Sequence, residues 1–98
     1  MDKSDKERLA RMEKWAQSFP SMRHEAGAQP WDALVLDGWA CGPAPSHGAL
    51  CAARFVLMVW DPGTAWRCGR FDLTEALRCW DYEHHAAFLR WAAKPWWP

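Results

Sequence analysis

The sequence predicts an all-α fold, a small single-domain helical bundle of three to four helices. The first observation behind this is compositional: 16 Ala and 8 Leu stand against 3 Val, 2 Thr and no Ile, so residues that suit strands are nearly absent while helix formers abound. The second is length, since 98 residues suit one domain with one core. The third is a set of helix start signals followed by apolar residues at helical spacing. An α+β alternative, with a hairpin over residues 55–71, competes with this reading.

Ser4 followed by Glu7 reads as a capping box, and Leu9, Met12, Ala16 and Phe19 then recur on one helical face. This predicts a first helix from Asp5 to Ser18, stopped by Pro20, with Glu7 and Arg11 as partners on a solvated face. Pro30 suits the first position of a short helix that Gly38 ends, with Trp31, Leu34 and Val35 on its inner side. An extended segment through Leu34, Val35 and Leu36 fits nearly as well. Residues 41–48, CGPAPSHG, read as an irregular connection.

The run from Ala49 to Trp60 is ambiguous. FVLMVW could pair with AWRCGRF through the turn Asp61-Pro62-Gly63-Thr64, giving the hairpin. However, the apolar stretch is about twice the usual strand length, Ser46 offers a cap, and a lone hairpin is weak. A buried central helix from His47 to Trp60 is therefore expected. Asp72 and Glu75 form another acidic start signal, and Leu73, Leu77, Trp80, His84, Phe88 and Trp91 follow on one stripe, in one helix or in two separated near Asp81. Pro95 ends it. Residues 95–98 remain as an aromatic tail of the single domain spanning 1–98.

Function is less legible. A formal net charge of zero lacks the field that draws nucleic-acid binders, and Arg67, Arg70 and Arg78 lie among Asp72, Glu75, Asp81 and Glu83, where exposed ion pairs are expected. The charged N-terminus does not read as a signal peptide, and no apolar run reaches the ~20 residues of a membrane span. This predicts a cytoplasmic protein with four free thiols. His47 lies between Cys41 and Cys51, and Cys79 precedes His84 and His85, but no Cys-x-x-Cys pair preforms half of a zinc site, so no metal or cofactor is expected. Asp81 and His85 are i,i+4 neighbours without a nucleophile or a Gly-x-Ser-x-Gly pattern, and no enzyme is expected.

Nine tryptophans exceed what a small core needs. Trp15, Trp80 and Trp91 read as core, whereas Trp39, Trp66, Trp96 and Trp97 fall in predicted loops or the tail. Trp and Arg are enriched at binding hot spots, so Trp66, Arg67, Arg70, Trp96 and Trp97 are the predicted partner contacts. The leading expectation is a non-catalytic protein-binding module, its partner another protein or a second copy in a homodimer. A small nucleic-acid-associated protein and a Cys/His metal protein are the alternatives.

The stretch RFVLMVWDPGTAWRCGRFDLTEALRCWDYEHHAAFLRWAAKPWWP resembles the C-terminal half of short uncharacterised proteins carried by proteobacterial integrative and conjugative elements or plasmids. The resemblance rests on aromatic words such as WD and FLRWA. It implies an accessory gene of a mobile element, one that binds a host protein, and it transfers no catalytic motif.

Overall fold

The computed structural model describes residues 3–98, and among them it contains five α-helices, a 3₁₀ turn and no strand. They are α1 (Lys3–Ala16), the 3₁₀ turn (Pro20–Met22), α2 (Ala33–Cys41), α3 (His47–Trp60), α4 (Leu73–Cys79) and α5 (Tyr82–Ala93). The all-α expectation holds, with five helices in place of three to four.

The central helix is where the apolar run predicts it. Ser46 caps α3 by accepting a hydrogen bond from the Ala49 N–H, and Cys51, Ala52, Ala53, Phe55, Val56, Leu57 and Val59 are all buried. Such all-round burial needs neighbours on several sides, and α2, α4 and the 3₁₀ turn supply them. The hairpin alternative fails because residues 61–72 form a loop rather than a returning strand.

Other expectations need correction. Since α1 already includes Lys3, Ser4 lies inside its first turn and cannot cap it. Glu7 approaches Lys3 rather than Arg11. Arg11 instead stacks on Trp96, its guanidinium 3.9 Å from the ring centroid.

The second helix starts three residues after Pro30. Asp32 is its cap, accepting from the Val35 N–H at 3.2 Å, and the helix passes through Gly38 to Cys41. That shift turns the inner face to Leu36, Asp37 and Ala40, leaving Leu34 77% and Val35 46% exposed. Trp31 is buried ahead of the helix, after a cis Gln29–Pro30 bond. Gly27 has φ +93°, and a Cβ there would lie 2.4 Å from the Leu36 nitrogen, so the approach to α2 requires glycine.

The C-terminal stripe breaks at Trp80, which is extended, and Asp81 caps a new helix by accepting from the His84 N–H at 2.9 Å. The break resets the helical phase. Ala76 is buried in α4 while Leu73 and Leu77 are exposed; Trp80, His84 and Ala87 are buried beyond it.

Candidate functional site

Trp66 and Arg70 line one cleft of about 220 Å³ together with Arg54, Met58 and Phe71. The loop after α3 shapes this cleft, and two contacts that fix the loop escaped the sequence reading. The buried Asp37 carboxylate accepts the Arg67 and Cys68 backbone N–H groups at 3.1 and 2.9 Å. Arg54 donates from Nε to the Cys68 carbonyl at 2.7 Å and from a terminal nitrogen to Glu75 at 3.3 Å. A carboxylate buried with two donors is satisfied rather than stranded. Trp66 is half-buried, and its Nε1–H donates to the Asp61 carbonyl at 3.3 Å.

Arg67 and Arg70 are both exposed, and the ion pairs expected of them do not form. Among the described residues Arg54 pairs with Glu75 and Arg23 with Glu83, while none of Arg67, Arg70 and Arg78 joins a salt bridge. Competition explains Glu75: Arg54 and His47 both reach its Oε1.

Trp96 and Trp97 line a different cleft, beside Glu7, Arg8 and Arg11 of α1. Trp96 is half-buried, with its ring edge-on to Trp15 at 5.4 Å and its carbonyl accepting from Trp91 Nε1 at 3.0 Å. Trp97 remains 58% exposed, its ring 5.3 Å from Trp91. The tail is thus docked on α1 and α5, and four of the five predicted contact residues divide between two clefts, while Arg67 lines neither.

Residues from both His/Cys groups meet elsewhere. His47 and Cys51 share a face of α3 at i,i+4, and Cys79 at the end of α4 faces them. One donor atom from each of the three lies within 4.8 Å of the others. The two sulfurs are 3.6 Å apart. Glu75, one turn before Cys79, receives the His47 Nε2 hydrogen bond at 2.5 Å. Burial, reinforced by the neighbouring Cys79, pushes the Cys51 thiol up to about 12. Cys41, His84 and His85 stand outside this group. The sequence set His47 between Cys41 and Cys51 without pairing it with Cys51 on one helical face, and the approach of Cys79 depends on helix packing that no local spacing shows.

Asp81 pairs with His84 rather than with His85. The His84 backbone N–H and then its Nδ1–H hydrogen bond to the Asp81 carboxylate and hold it below the usual carboxylate range. The His84 Nε2 is 2.8 Å from Ser21 Oγ and also receives the Ser21 backbone N–H at 3.3 Å. Although this order of groups is that of a serine nucleophile and its base, the cleft that Asp81 and His84 line is bounded by Ser46, Gly48 and Trp80, not by Ser21. The chain of bonds fastens the 3₁₀ turn to the start of α5. No helix among the described residues is long and apolar enough to cross a membrane. Compared with protein-family models, with curated proteins and with solved structures, the chain matches none.

Proposed function

We propose that this chain is a non-catalytic helical binding module that recognises a protein partner and acts by occluding its surface. The observation that carries the reading is the cleft at Trp66 and Arg70. An indole wall and the apolar Met58 and Phe71 stand beside an exposed guanidinium with no ion pair among the described residues. Such a cleft suits an acidic side chain flanked by an apolar one, and Trp with Arg is a frequent hot-spot combination. Trp97 offers a second contact, while Trp96 serves the domain itself. The resemblance of residues 54–98 to mobile-element proteins supports a setting in the bacterial cytoplasm, with a host-defence protein as one class of target.

Affinity capture from the native host tests this with three proteins: wild type, Trp66→Ala and Arg70→Glu. The expected result is one or a few proteins retained by wild type and lost from both variants, with the helical circular dichroism unchanged in both and the melting temperature unchanged in Arg70→Glu. Equal retention by all three would contradict the reading. Arg67, Arg70 and Arg78, in no salt bridge among the described residues, favour a second reading, nucleic-acid binding, which predicts retention on heparin with a steep salt dependence. Zero net charge weighs against it.

A further inference from the structure

We infer that His47, Cys51 and Cys79 form a binding site for one zinc ion that joins α3 to α4, a property separate from partner recognition. Zinc takes sulfur and nitrogen donors tetrahedrally, at about 2.3 Å for sulfur and 2.0 to 2.1 Å for nitrogen, which places two such thiolates about 3.8 Å apart. The two sulfurs already stand at 3.6 Å, and an imidazole nitrogen lies within 4.8 Å of both. With three protein donors, the fourth tetrahedral position would fall to a water molecule. The donors come from the start and second turn of α3 and from the last turn of α4, so the ion would clasp two packed helices across their contact.

The surroundings fit the charge of such a site. Two thiolates neutralise the ion, and His47 binds as neutral imidazole. The Glu75 carboxylate holds the imidazole through Nε2 and is itself held by Arg54 at 3.3 Å. A carboxylate that steadies a metal-binding histidine, backed by a further hydrogen bond, is the usual support of such a ligand. His47 is exposed while Cys51 is buried, which gives the ion a way in. His47 and Cys79 also border an open cleft with Thr74 and Arg78.

Binding exchanges protons for metal: each thiol loses its proton as its sulfur takes up a bond to zinc, and two protons are released. Affinity therefore rises with pH.

The test uses the full-length, reduced, metal-free protein titrated with Zn²⁺, followed by elemental analysis, and with Co²⁺ as a spectroscopic probe. Wild type and Cys41→Ala are expected to bind one equivalent of zinc. Cobalt should give the strong visible bands of tetrahedral coordination and a thiolate charge-transfer band. Cys79→Ser should abolish these signals, and Glu75→Gln should weaken binding about 10- to 100-fold. Because Cys51 is buried and its replacement can disturb folding, His47→Ala is the companion variant, with at least tenfold weaker binding and an unchanged helical spectrum. The inference is overturned if the reduced wild type binds no zinc, if Cys79→Ser and His47→Ala bind as wild type does, or if Cys41→Ala loses the ion.

Discussion

Phe55 is fully buried, and six other rings surround it: Trp15, Phe19, Phe71, Trp80, Phe88 and Trp91, with centroids 4.9–6.3 Å away. Several of these contacts are edge-on, the arrangement that aromatic quadrupoles favour. One side chain thus gathers residues from α1, the loop before α4, the α4–α5 junction and α5. Phe55→Ala removes the ring on which all of them pack, and close-packed surroundings collapse only partly into the space. The expected loss of stability is about 3 to 5 kcal/mol in urea unfolding, against less for the half-buried Phe71. A loss below about 1 kcal/mol would show that Phe55 is not the centre of the aromatic cluster. The same crowding answers the tryptophan surplus. Most of the indoles predicted for loops or the tail are at least half-buried, and Trp97 is the one large exposed ring among them.

At the scale of elements, the tail behaves as part of the bundle. Trp96 lies against Trp15 and under Arg11, and its carbonyl closes a hydrogen bond with Trp91. Deleting Trp96 to Pro98 should lower the melting temperature clearly and, by removing the Trp97 contact, weaken partner capture without abolishing it, because the Trp66 cleft remains. Unchanged stability after the deletion would mean that the tail does not dock. α3 was legible in the sequence because its cap and a long apolar run agreed. α2 was not, because Pro30 and Asp32 both offer a start two residues apart, and choosing the later one rotates the whole inner face. The break at Trp80 was legible only as one option, since Asp81 signals a cap that a continuous stripe argues against. For the sites, Trp66 and Arg70 were named from residue type and then brought into one cleft by packing. Asp37 and Arg54 were missed and Glu75 was assigned other partners, because a contact between distant elements leaves no mark in local periodicity.

At the scale of the molecule, both candidate sites hang on one stripe of α3. His47, Cys51, Arg54 and Met58 recur at steps of four, three and four residues, which keeps them on one face. The first two belong to the His/Cys cluster and the last two to the Trp66 cleft. Glu75 joins the halves, because one carboxylate oxygen bonds both His47 and Arg54. α3 is therefore the buried helix around which the core and both candidate sites are organised. Residue-resolved amide hydrogen exchange tests it most directly, since core elements open only with global unfolding whereas peripheral ones open locally. The amides of Cys51 to Val59 should exchange slowest in the molecule, continuously along the helix, with the first turns of α1 and the loop 61–72 much faster. Slow amides alternating across residues 55–71, or α3 exchanging as fast as α4, would contradict this arrangement.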